Sequence, residues 1–170
     1  MKLNLGARNR KIPGYLGVDC DAHDGVDVVS DVSNLSFLDN GSISEIYASH
    51  VLEHFSHRRT DSVLKEWGRV LRNGGILRVA VPDFKRTVEL CQRMGGLFPW
   101  AINFLWGDQE YDTAYHYTAF DERLLRGKLA EAGFTDISRV ESFGLNKDDC
   151  SNLVSNIDRK SVSLNLVAIK

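Results

Sequence analysis

The sequence predicts an α/β domain with a doubly wound, mostly parallel seven-stranded sheet, an antiparallel last strand and shortened first crossovers. Three observations predict it. Short apolar runs alternate with segments of helical period along most of the chain. Small or polar residues (Gly6, Asp19, Asp31, His50) stand at the ends of the first four runs. The last two runs have only a polar loop between them, which suits an antiparallel hairpin.

The first strand is Leu3 to Leu5, closed by Gly6; the second is Tyr15 to Asp19, the third Val26 to Ser30, and the fourth Ile43 to Ser49. About a dozen residues separate Gly6 from Asp19, and fewer separate Asp19 from Val26. A strand–helix–strand unit takes roughly 30 residues, so loops or single turns must replace the first two helices. Between His57 and Leu71, the residues Val63, Leu64, Trp67, Val70 and Leu71 recur at helical spacing. Asn73-Gly74-Gly75 supplies the left-handed residues that stop a helix, so the helix is expected to run to that point. Ile76 to Val81 is nearly all apolar, as a strand buried on both faces must be, and Pro82-Asp83 closes it.

Residues 84–120 read as a lid-like, aromatic-rich insertion within a single domain of residues 1–170. It opens with a helix at about Arg86 to Met94, breaks at Gly95-Gly96 and carries Trp100, Trp106, Tyr111 and Tyr117. Asp121 then caps an amphipathic helix through Leu124, Leu125, Leu129 and Ala130 that stops at Gly133. Strands at Thr135 to Phe143 and Val162 to Ile169 flank a polar loop that contains Asn146 to Lys160.

Composition narrows the class. The 170 residues suit one core, and 43% apolar with 26% charged residues is ordinary for a globular domain. A net charge of −2 with no basic stripe argues against an extended nucleic-acid surface. No apolar run approaches the ~18 residues of a membrane span, and the short apolar strand after Met1-Lys2 is no signal segment. Cys20, Cys91 and Cys150 are odd in number and widely spaced, which suits reduced thiols in the cytoplasm.

In doubly wound sheets, ligands bind beyond the carboxyl ends of the strands, where strand order reverses. Gly6 permits a sharp turn and close backbone approach. Asp19 offers a carboxylate to a pair of ribose hydroxyls, Asp31 with Val32 offers acceptors to a base edge, and Ser49 and His50 face the reacting centre. A hydroxyl nucleophile would also need a base, for which His50, His54 and His116 are candidates, with Tyr115 or Tyr117 as orienting groups. His116 and Tyr117 lie in the aromatic segment just before the last helix. His54 reads rather as a helix-start residue bonded to neighbouring backbone.

These residues sit in recognisable strings: Leu3-Asn4-Leu5-Gly6, Gly17-Val18-Asp19, Asp31 to Phe37, Ile46 to Phe55 with its His50-Val51-Leu52-Glu53-His54, Glu66 to Gly75, Val81-Pro82-Asp83, and Glu131-Ala132-Gly133-Phe134. Together they resemble class I S-adenosylmethionine-dependent methyltransferases over nearly the whole chain, and within them a compact bacterial branch of type 11-like proteins. The resemblance implies S-adenosylmethionine as cofactor. It implies that Asn4, Leu5, Gly6 and Ala7 lie along its methionine part, that Asp19 and Cys20 lie at the ribose and Asp31 and Val32 at adenine, and that Ser49 and His50 lie near the sulfonium. Arg8 departs from the pattern, standing where a second glycine is expected; it either obstructs the cofactor or swings outward. The implied reaction is methyl transfer to a small-molecule or glycan-type acceptor, with a homodimer left open.

Two rivals share these residues. His50-Val51-Leu52-Glu53-His54 fits an inverted zinc-peptidase pattern, but that pattern needs both histidines on one helix, whereas His50 ends a strand; no metal ligands are assigned. The alternative function is a degenerate methyltransferase fold acting as a non-catalytic binding or scaffolding protein. A nicotinamide site is disfavoured, because no G-x-G-x-x-G follows the first strand.

Overall fold

The computed structural model describes residues 1–145 and 150–170. Seven strands form one sheet in the order β3-β2-β1-β4-β5-β7-β6. They are β1 (Lys2–Leu5), β2 (Leu16–Asp19), β3 (Val28–Val29), β4 (Ile43–Ser49), β5 (Leu71–Pro82), β6 (Thr135–Arg139) and β7 (Ser163–Ile169). The first five are mutually parallel, and β7 enters between β5 and β6 antiparallel to both. This is the doubly wound arrangement expected. Among the described residues four α-helices accompany it: α1 (Thr60–Val70), α2 (Phe84–Met94), α3 (Pro99–Trp106) and α4 (Glu122–Glu131).

The first two crossovers hold no helix, as their length required. Gly6 and Ala7 both donate backbone N–H to Val18 O (2.9 and 3.3 Å), so the chain turns back onto β2 at once. The loop after β2 folds in the same way: Gly25 N–H donates to Arg8 O at 2.9 Å, and Asp27 accepts from Gly17 N–H at 2.8 Å. A side chain is impossible here, since a Cβ on Gly17 would stand 2.0 Å from Gly25 O. Loops therefore cover this part of the sheet. Ile12, Tyr15, Tyr47, Ala80 and Phe143 form a small apolar cluster, with Tyr47 and Phe143 edge to face at 5.6 Å.

The main core includes Leu3, Leu5, Ile46, Leu77 and Val79 from the strands and Val63, Leu64, Trp67 and Val70 from α1. Three side chains of α1 also reach the loop after β3. The Trp67 indole N–H donates to Val32 O at 2.9 Å. Glu66 accepts from Leu35 N–H at 2.8 Å, and Arg69 spans Leu35 O, Leu38 O and Asn40. The string Glu66-Trp67-Gly68-Arg69 is thus a clasp on residues 32–40. Asp83 plays a similar part at the end of β5. It caps α2 through Arg86 N–H at 3.1 Å and pairs with Arg139 at 2.9 Å.

Two helix boundaries differ from expectation. The α1 helix ends at Val70, not at Asn73-Gly74-Gly75, because Leu71 is already extended and pairs with Ile43. The glycines instead form a bulge within β5, where Gly74 N–H donates to Lys170 O and Lys170 N–H to Gly75 O. A place in the sheet outweighs one more helical bond. The α2 helix starts two residues earlier than its period suggested, at Phe84, because Asp83 caps it. Of the polar loop expected over Asn146 to Lys160, residues 146–149 lie outside the described residues; the remainder carries a short turn at Cys150–Asn152. No helix among the described residues is long and apolar enough to cross a membrane.

A cluster of charge spans the strands β1, β4 and β5. Glu45, only 5% exposed, accepts from Tyr15 (2.6 Å) and Arg78 (2.5 Å) and pairs with Lys2 (2.8 Å). Burial pushes its carboxyl up, but Lys2, Tyr15 and Arg78 overcome this and hold it at about 2. The Tyr15 hydroxyl is pushed well above its usual range, first by burial and then by Glu45. A carboxyl depressed in the folded state stabilises above its unfolded value near 4.5, and that contribution is lost as pH falls through about 2. Glu45→Gln should therefore lower stability at neutral pH by about 2 kcal/mol, allowing for solvent screening. The gap to wild type should close between about pH 4.5 and 2 in urea titrations; a gap independent of pH would refute the assignment.

Candidate functional site

A cavity of about 550 Å³ lies at the carboxyl ends of β1, β2 and β4, beyond the point where the chain leaves β1 for neighbours on opposite sides. Gly6, at φ +70°, opens one wall. It packs against Val51 so closely that a Cβ would meet Val51 Cγ2 at 2.4 Å. Asp19 ends β2, is 6% exposed and faces the cavity. Its Oδ2 accepts from Arg8 N–H at 3.0 Å, and its Oδ1 lies 3.4 Å from both Asp21 N and Cys20 Sγ.

Arg8 adopts φ +43°, the left-handed conformation that a glycine would take freely. That turn aims its backbone N–H at Asp19. Its guanidinium swings across the cavity mouth to lie over the Tyr111 ring, 4.9 Å from the centroid, and donates to the Tyr111 hydroxyl. Arg8 is therefore part of the wall and ties the first loop to the segment after α3. Val32 lines the cavity from the loop that Trp67 and Arg69 clasp. The Asp31 carboxylate accepts from Ser33 N–H at 2.8 Å and stands 3.7 Å from Arg59.

His50 follows β4 at φ +55°, a strained conformation for a residue with a side chain, held because its N–H continues the sheet to Ala80 O at 2.9 Å. Its Nε2 meets Ser163 Oγ at 2.8 Å, and because that hydroxyl donates to Cys150 O, Nε2 is the donor of the pair. Its Nδ1 lies 3.1 Å from Glu53 Oε1. Both ring nitrogens are thus committed inside the protein. Glu53 is fully buried in the short turn Leu52–His54. Burial pushes its carboxyl up, yet the imidazoles of His50, His54 and His116 hold it below the usual carboxylate range.

The sequence-predicted residues divide in two. Gly6, Asp19, Cys20, Asp31, Val32, His50 and Tyr117 line the cavity. Asn4, Leu5, Ala7 and Ser49 are buried beside it without reaching its wall, and Asn4 donates to Arg10 O at 2.9 Å to hold the first loop. His116 is off the wall, packed edge to face on His54 at 4.8 Å, with Nδ1 on Phe104 O at 3.1 Å. Burial pushes its pKa down. His54, expected to start a helix and bond neighbouring backbone, instead ends the turn Leu52–His54, bonds the distant Tyr115 O at 3.0 Å and lines the cavity. Tyr111, Phe55 and Ser163 carried no signal of their own. Glu53 did carry one, as a lone acid between apolar Val51-Leu52 and a histidine.

Asp19 and Asp21 also act on Cys20. Burial first, then these carboxylates, push its thiol up to about 12. The thiolate is the reactive form, so Cys20 should alkylate roughly a hundredfold more slowly at pH 8 than an ordinary surface thiol, although it is exposed. Asp19→Asn should speed the reaction. Peptide mass spectrometry after timed iodoacetamide labelling reads both rates, and rapid labelling of the wild type would contradict the assignment.

Residues 14–79 match the family described as "Methyltransferase domain". Solved structures share the fold over the whole chain. A methyltransferase from Methanosarcina mazei is 19% identical, with 99% of this chain and 91% of that one aligned and a TM-score of 0.65. One from Archaeoglobus fulgidus is 17% identical, with coverage of 99% and 85% and a TM-score of 0.64. The Burkholderia thailandensis 1,6-didemethyltoxoflavin-N1-methyltransferase, solved with 1,6-didemethyltoxoflavin and S-adenosylhomocysteine bound, is 16% identical, with coverage of 99% and 70% and a TM-score of 0.61. No protein of curated function matches the chain. The family match is confined to residues 14–79, and the solved structures share the Rossmann-like fold of S-adenosylmethionine-dependent methyltransferases over nearly the whole chain.

Proposed function

We propose that the cavity holds S-adenosylmethionine between the Gly6 turn and the clasped loop at Val32, and that the chain methylates a small-molecule or glycan-type acceptor. The observation that carries this reading is Asp19, a nearly buried carboxylate at the end of β2 whose partners are the Arg8 and Asp21 N–H groups and the Cys20 thiol. Such a group takes both hydroxyls of a ribose, and the cavity volume suits a ligand of nucleoside size. Asp31 and Val32 take the adenine. The backbone at Gly6 and Ala7 lies along the methionine part, with Asn4 and Leu5 holding that turn in place.

The sulfonium of the cofactor is an activated methyl donor, so the protein's task is alignment and exclusion of water. Residues 84–120 supply the cover. Arg8 and Tyr111 close one side, and Tyr117, 60% exposed, stands at the rim where an acceptor is oriented. His50 works as a fixed wall near the sulfonium and not as a proton acceptor, because Ser163 and Glu53 occupy its nitrogens. His116 acts through His54 and Glu53, being off the wall. A modest acceptor fits the near-neutral charge and the absence of a basic groove. A cytoplasmic location fits three thiols that form no disulfide.

Calorimetry with S-adenosylmethionine and S-adenosylhomocysteine tests this. Both should bind the wild type, and Asp19→Ala should weaken them about 10- to 100-fold through loss of charged hydrogen bonds. Release of S-adenosylhomocysteine in the presence of hydroxyl-bearing metabolites and oligosaccharides then identifies the acceptor, and Tyr117→Ala should raise KM more than it lowers kcat. Failure of either ligand to bind at millimolar concentration would leave the scaffolding alternative standing.

A further inference from the structure

Glu53 poses a problem of hydrogen-bond supply. Its carboxylate is fully buried, with His50 Nδ1 3.1 Å from Oε1 and no well-formed hydrogen bond to either oxygen among the described residues. Two more imidazoles face it. One ring nitrogen of His54, one of His116 and one Glu53 oxygen lie within 4.8 Å of one another. The Nδ1 atoms of both histidines meet backbone carbonyls, of Tyr115 at 3.0 Å and Phe104 at 3.1 Å. A carbonyl only accepts, so each Nδ1 is a donor and Nε2 is the nitrogen left for a ligand. A fully buried carboxylate is costly unless a proton donor or a cation stands beside it.

We propose that Glu53, His54 and His116 bind one divalent transition-metal ion of the zinc class, with His54 and His116 as Nε2 ligands and Glu53 as the carboxylate ligand. Donor chemistry selects the metal. Two imidazoles and one carboxylate suit zinc, cobalt or ferrous iron, while magnesium and calcium prefer all-oxygen sites. The support around the ligands is of the kind metal histidines have, in which the second nitrogen donates to a backbone carbonyl and fixes the tautomer. The chain also assembles the trio deliberately. Tyr117 and Thr118 N–H both donate to Glu53 O (2.8 and 3.2 Å), which brings His116 from the segment before α4 against the turn that carries Glu53 and His54. Ligands on a zinc ion stand about 3.3 Å apart, so closure needs side-chain rotations of roughly an ångström. This trio is not the inverted peptidase motif, since His50 takes no part and the third ligand comes from 62 positions beyond His54.

His54 borders the cavity, so the ion would lie at its acceptor end and could polarise an acceptor hydroxyl through an open position. That role rests on the function proposed above; the metal site itself does not.

Chelated, full-length protein titrated with Co²⁺ tests the site without reference to methyl transfer. The wild type should take up one equivalent with visible d–d absorption of low-coordinate cobalt, and Zn²⁺ should bleach it. Affinity should fall at least a hundredfold in His116→Ala and in Glu53→Gln, with circular dichroism and S-adenosylhomocysteine binding reporting that the fold survives. His54→Ala, a change at a partly exposed residue, provides a second reading should the buried variants unfold. Cys20→Ser should leave cobalt binding unchanged. Absence of stoichiometric uptake by the wild type, or loss in Cys20→Ser with retention in His54→Ala, would overturn the proposal.

Discussion

The position of β1 governs this molecule. Leu3–Leu5 pairs with Leu16–Val18 on one side and with Ile46–Ala48 on the other, so the chain must depart from β1 in one direction and return in the other. A crevice at its carboxyl end follows from that topology alone. Gly6, Asp19 and His50 are simply the residues that the ends of β1, β2 and β4 deliver to it. Their side chains differ in chemistry, but their convergence is a property of parallel pairing.

Economy in the crossovers shapes everything around that crevice. With no helix after β1 or β2, the same two loops must cover the sheet and wall the cavity. Glycine makes this feasible at Gly17 and Gly25, where backbones touch. Arg8 shows the other solution, a left-handed turn accepted by a residue with a long side chain that then finds work on Tyr111. The aromatic segment after α3 is thereby connected to the first loop directly, across more than half the sequence.

Much of this was legible beforehand, and the reasons are specific. The strand β5 announces itself because burial on both faces demands a nearly all-apolar run, and α4 because Asp121 and Gly133 mark its ends. The end of α1 was misread because the glycines at 74–75 look like a stop signal, whereas the pairing of Leu71 with Ile43 is a long-range event that no local pattern records. At the site, strand ends were readable from sequence, since their positions follow from the period of the strands. Partners were not. Whether a histidine nitrogen points at a carbonyl, as in His54 and His116, or at a serine from β7, as in His50, depends on chain segments up to 113 residues apart.

The loop cover over Tyr47 and Phe143 has a thermodynamic corollary. A helix carries its own hydrogen bonds and keeps its shape when an edge frays, but the segment 7–15 is held chiefly by single bonds to β2, Asn4 and the loop at Gly25. Opening that segment would expose apolar surface and dismantle the acceptor geometry of Asp19 in one event. Occupancy of the cavity and integrity of that face are therefore linked, so that a ligand bound at Asp19 would also do the work of the missing crossover helix, and amide exchange across residues 7–25 would then measure its affinity.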